Sequence, residues 1–113
     1  MGEIDSGNLQ RMLERIKLQA AGADYRVTQH ADQETVEDGI SLDEVLEAIQ
    51  EAEILEDYPE HRRGACCLLG GLTRKGPPLH IVCTTAQPRL ILITVYEPRP
   101  PKWATRRTRG KLL

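Results

Sequence analysis

No phenylalanine occurs in these 113 residues, and the aromatic set comes down to one tryptophan and three tyrosines. So few rings exclude a sheet that captures single-stranded nucleic acid by stacking successive bases on its face. No window approaches the roughly 20 apolar residues of a membrane-spanning helix, and the amino-terminal residues show no basic patch followed by an apolar run. A soluble, cytoplasmic protein is the expectation. Of three cysteines, Cys66 and Cys67 are adjacent inside an apolar run and Cys83 stands apart, which fits neither a paired disulfide framework nor C-x-x-C metal spacing. They read as small core or strand residues. Repeats are absent too. A chain of this length makes one domain with a core of its own, needing neither a disulfide nor a metal to hold it.

What is present is charge, unevenly placed. Residues 1–61 carry 16 acidic and 4 basic side chains, net −12, whereas residues 62–113 carry 11 basic and 1 acidic, net +10. Such a split either presents the basic half to a polyanion or acidic partner, or disappears when folding interleaves the halves. Six of the basic residues (Arg99, Lys102, Arg106, Arg107, Arg109, Lys111) follow Pro98 with no acid among them. That composition predicts a mobile basic tail over 99–113, anchored at most by Trp103.

Residues 25–49 organise the rest. A short strand opens them at Tyr25. Thr28 is placed to cap a helix over Gln29 to Asp38, and Gly39 supplies the left-handed residue that ends it. Ser41 with Glu44 three residues on reads as a capping box, and Leu42, Val45, Leu46 and Ile49 then recur on one face of a second helix. Upstream, Leu9, Met12, Leu13, Ile16 and Ala20 predict a helix from Asn8 to near Gly22. Downstream, strands are expected at Glu53 to Tyr58, Ala65 to Thr73, Leu79 to Thr85 and Leu90 to Glu97, the last carrying the densest β-branched content. The Gly70-Gly71 pair predicts a bulge or a close backbone approach. The sum is an α+β domain over 1–98, its amino-terminal helices on one face of a mostly antiparallel four-stranded sheet.

Within this frame the blocks TQHADQETVEDGIS, DYPEHRRGACCLLGG, GPPLHIVC and ITVYEP stand in order between Tyr25 and Pro98. Together they resemble a family of small bacterial and archaeal proteins catalogued as a domain of unknown function, a distant arm of the RelE/ParE toxin superfamily near the BrnT-like toxins. The resemblance implies a RelE-like compact sheet with helices on one face, and in some relatives an mRNA-cleaving, ribosome-dependent activity. It also implies a small antitoxin partner, in close relatives often a zinc-finger protein that binds DNA. Other superfamily members inhibit gyrase. His30, Arg63, Gly64, His80 and Tyr96 sit where the pattern expects them.

Cleaving RNA without metal or other cofactor requires a base for the 2′-hydroxyl proton, an acid for the leaving 5′-oxygen and cations for the phosphorane. His30 and His80 are candidates for base and acid, with Glu34, four residues from His30, on the same helix face. Arg63, with Arg62 beside it, could clamp the phosphate bidentately, and Tyr96 could stack a base or donate a hydrogen bond. Arg62, Arg74, Lys75, Arg99 and Lys102 are candidates for phosphate contacts. The bland alternatives are a surface His30–Glu34 pair, a satisfied His80 in a strand, and a Tyr96 that only packs. His30, Glu34 and His80 also have the composition of a two-histidine, one-carboxylate metal site, a weak signal because such helix pairs are common. A non-enzymatic module that binds protein or nucleic acid is the rival to a toxin with ribonuclease activity.

Overall fold

The computed structural model of the protein describes residues 6–62, 64–86 and 88–110. Eight elements follow one another: α1 (Ser6–Ala21), β1 (Tyr25–Val27), α2 (Gln29–Asp38), α3 (Leu42–Gln50), β2 (Glu53–Tyr58), β3 (Cys66–Leu72), β4 (Pro78–Thr84) and β5 (Leu90–Tyr96). Side-chain chemistry sets the helix ends. Thr28 Oγ1 accepts from the Ala31 N–H at 3.1 Å and starts α2, and Gly39, at φ 67°, stops it. Ser41 and Glu44 form the reciprocal capping box of α3, at 3.1 and 2.9 Å.

The strands form one sheet in the order β1-β5-β4-β3-β2, and all neighbours are antiparallel except β1 and β5. The class is α+β, with five strands where sequence patterning predicts four. β1 is the addition to the meander. It is the short strand expected at Tyr25, and it joins the sheet because Tyr25, Arg26 and Val27 pair with Leu90, Ile91 and Leu92. Helix and sheet meet in a single core. Ile16 and Ala20 of α1, Ala31 of α2, and Val45, Ala48 and Ile49 of α3 bury against Cys67, Leu69, Leu79, Ile81, Cys83, Leu92 and Val95. A bulge at Ile93, where β5 shifts register against Val82 and Cys83, keeps both Leu92 and Val95 on that face. All three cysteines are buried free thiols. The Cys83 thiol, hydrogen-bonded to Cys67 across the strands and buried, is held well above its usual range and stays protonated.

Because strand side chains alternate, the residues between those core positions project from the opposite face. That second face is covered over part of its area by the basic segment after β5. The segment is folded rather than mobile. The backbone N–H of Trp103 donates to the Arg99 carbonyl at 3.0 Å, that of Ala104 to the Thr108 carbonyl at 2.8 Å and that of Gly110 to the Lys102 carbonyl at 2.8 Å, closing a small hairpin in which Trp103 and Arg109 form a β-bridge. We call residues 98–110 the strap. Among the described residues no helix is long and apolar enough to cross a membrane.

Candidate functional site

Two separate clusters hold the titratable residues singled out from sequence. The first lies at the β5 edge of the sheet. Where β1 ends, Thr28 takes over the pairing, donating its N–H to the Leu92 carbonyl and its hydroxyl to the Ile93 carbonyl, both at 3.0 Å. Two residues further along β5, the Glu34 carboxylate accepts the Val95 N–H at 2.9 Å. Glu34 therefore finishes the edge that the short β1 leaves open. Its second oxygen lies 3.4 Å from Nε2 of His30, one turn back on α2, whose side chain is 64% exposed. A neutral His30 with its Nε2–H toward Glu34 keeps a lone pair on Nδ1, the arrangement of a carboxylate-oriented general base.

The second cluster lies under the strap. His80 is 0% exposed. It projects from β4 beside Gly70 of β3 and Tyr96 of β5, its register partners. A side chain at Gly70 would crowd Leu55 and approach the His80 ring. Because a carbonyl only accepts, Nε2 of His80 carries the proton and donates to the Arg106 carbonyl at 2.6 Å; Nδ1 then accepts from the Tyr96 hydroxyl at 3.1 Å. Trp103, 2% exposed, meets the imidazole edge-to-face at 4.4 Å, and the Arg109 guanidinium lies 4.5 Å over the indole. Lys102 sits 5.5 Å from the centre of the Tyr96 ring.

Carboxylates of β2 hold the rest of the strap. Arg107 Nε lies 2.6 Å and Arg106 Nη1 4.0 Å from Glu53, while Arg109 forks onto Glu56 at 3.0 and 2.7 Å. The Arg109 bond holds the Glu56 carboxyl below its usual range despite partial burial. Tyr58, which also donates to Glu56, is pushed up to about 12, first by burial and then by that bond. The charge split of the sequence is thus folded in part into internal pairs. Nothing in the local pattern announces this pairing, because its partners stand 53 and 54 residues apart.

The structure does not bring His30 and His80 together: one is exposed on α2 at the sheet edge, the other buried on the face away from the helices. Nor do they join Glu34 around a metal, and among the described residues no three such ligands converge. Arg63 lies outside the described residues. Arg62 and Lys75 are exposed in turns; Arg74 stands 3.9 Å from Glu47, and Arg99 pairs with Glu97 at 2.8 Å. Tyr96, partly buried, has its phenol raised by desolvation.

A family model described as Domain of unknown function (DUF4258) matches residues 27–97. The chain belongs to that family. The DUF4258 match runs from the last residue of β1 to just past β5, so it contains His30, His80, Glu34 and the β2 carboxylates, while α1 and the strap lie outside it. No curated protein and no solved structure matches the chain.

Burial holds the His80 pKa below its ordinary 6.5, and the Arg109 and Lys102 charges act the same way, against the Arg106 carbonyl and Glu56. A depressed histidine contributes stability that is fully present above the unfolded value and is lost as pH falls below 6.5 toward the folded one. Stability is therefore expected to fall as pH drops below 6.5, with a slope of at most about 1.4 kcal/mol per pH unit. Glu56, also depressed, loses its contribution only below its own ordinary 4.5. Urea unfolding at several pH values checks this, and in His80→Gln the slope above pH 5 should flatten.

Proposed function

We propose that the protein is the toxin half of a type II toxin–antitoxin pair of RelE/ParE kind, near the BrnT-like arm, and that it cleaves RNA without metal or other cofactor. The observation that supports this reading best is the His30–Glu34 dyad. An exposed imidazole is aimed by a carboxylate that Val95 fixes in place, so Nδ1 is free to take the 2′-hydroxyl proton of a bound strand. Arg62, in the turn after β2, is a candidate for charge on the phosphate, as is Arg63, its neighbour in sequence. His80 reaches a substrate only with the strap lifted. The partner in this reading is a small antitoxin, of the zinc-finger, DNA-binding type that the family resemblance implies.

One observation favours a second reading, a non-enzymatic binding module: both nitrogens of His80 are already bonded, and its burial separates it from His30. Mapping RNA 5′ ends in cells shortly after induction decides between the two. Wild type is expected to create new ends, and His30→Ala, an exposed change that leaves the fold intact, to reduce their rate about 10²–10⁴-fold, the usual worth of a positioned base. Glu34→Gln keeps an acceptor for Val95 and should cost less. No new ends from wild type would leave the binding module as the function.

A further inference from the structure

The strap presents three guanidinium groups, those of Arg106, Arg107 and Arg109, to only two carboxylates of β2, all on side chains that water reaches. Arg107 is 56% and Arg109 48% exposed, and each still finds its partner within 2.7 Å. The backbone that carries them is fixed independently, by the buried Trp103 and by the bond from His80 to the Arg106 carbonyl. These arginines can therefore change partners by rotating side chains alone, while the strap stays seated. The fork that Arg109 places on both oxygens of Glu56 is also the geometry in which a guanidinium takes the two free oxygens of a phosphodiester.

We propose that Arg106, Arg107 and Arg109 form a binding site for the phosphodiester backbone of a single-stranded nucleic acid, which Glu53 and Glu56 keep occupied until such a strand arrives. The identity of that strand as RNA rests on the functional reading above; the site itself does not. Exposed ion pairs are individually weak and screened by salt. A strand offers several phosphates at once and gains from the counterions it releases, whereas a carboxylate-bearing protein surface offers the arginines nothing that β2 does not already supply. With few aromatic rings available, the contact is to the backbone rather than to stacked bases. Lys102 and Arg99 on the same strap extend the positive charge toward β5.

The test is fluorescence-anisotropy titration of labelled twelve-residue oligouridylate and oligothymidylate at two salt concentrations. It uses wild type, the E53Q/E56Q double variant, R106A/R107A/R109A, and a D32N/D43N control that removes the same charge from α2 and α3. Removing the competing carboxylates is expected to tighten binding about tenfold, and the distant control to change it less than about twofold, since exposed charges beyond a Debye length are screened. The arginine variant should bind more weakly and flatten the slope of log K against log salt by about 2, at about 0.7 per lost contact. Emission from Trp103, the one tryptophan, should stay blue-shifted in E53Q/E56Q, showing the strap still seated; a red shift there would overturn the side-chain exchange. If E53Q/E56Q gains no more than the control, or if the arginine variant binds as wild type does, the site is elsewhere. Capture of a twelve-residue glutamate peptide as tight as that of the oligonucleotides would assign the arginines to acidic proteins instead. Preference for uridylate over thymidylate assigns RNA, and equal binding assigns the backbone of either. Binding of this pattern with cellular RNA uncut would retain the site and lose only the ribonuclease.

Discussion

Gly71→Ala is expected to destabilise the fold by about 3 kcal/mol, the upper end of what overpacking costs, because the groups it meets cannot turn aside. A Cβ at Gly71 would stand 2.7 Å from the Ala48 carbonyl carbon and closer still to its oxygen. These are backbone atoms of α3, the helix that buries Val45, Ala48 and Ile49 against the sheet. Either α3 or β3 has to shift, and both belong to the same close-packed core. The neighbouring Gly70→Ala meets the end of the Leu55 side chain at 2.7 Å, a group that can rotate, and should cost well under half as much. Urea unfolding of the two variants compares them directly. Equal midpoints would mean that α3 does not rest on the β3 backbone.

Trp103→Ala should have an effect of similar size, but a local one. Truncating a buried tryptophan costs about 3–5 kcal/mol, more than the exposed ion pairs of the strap return at about 0–1 kcal/mol each. The strap is therefore expected to leave the sheet while the core stays folded. Trypsin reads this directly at Arg106, Arg107 and Arg109, because cleavage tracks the population of the open form when closing is fast. A loss of about 3 kcal/mol corresponds to roughly a hundredfold faster nicking under native conditions. Unchanged nicking with an unchanged urea midpoint would show that the indole does not hold the strap.

The fold was legible wherever its cause was local. Thr28, Gly39, Ser41 and Glu44 act within three or four residues of themselves, and the β5 run needs only its own β-branched side chains, so helix limits and the later strands follow from short windows. The His30–Glu34 pair is a consequence of helix pitch alone. What escaped was set by distant contacts. The strand at Tyr25 was legible, but its place in the sheet was not, because that depends on the open edge of β5. The strap has the composition of a disordered tail and is seated by the burial of Trp103 and the bond from His80 to the Arg106 carbonyl, contacts that no short window of the sequence marks. His80, flanked by Leu79 and Ile81, shows its strand alternation in the sequence. Its complete burial depends on a segment that begins some twenty residues later.

The arrangement at the two outer strands bears on how the molecule behaves in a crowded solution. A sheet margin with unused backbone groups is a template on which another chain can grow a strand, the first step toward fibres. Here β1 is three residues long, and beyond it Thr28 and Glu34 consume the backbone groups of β5 that a visiting strand would need. At the other margin, β2 is dense in acids that the strap partly balances, leaving charged side chains that an invading strand would have to desolvate. The same side chains that occupy the arginines thus disfavour the addition of a strand at that margin.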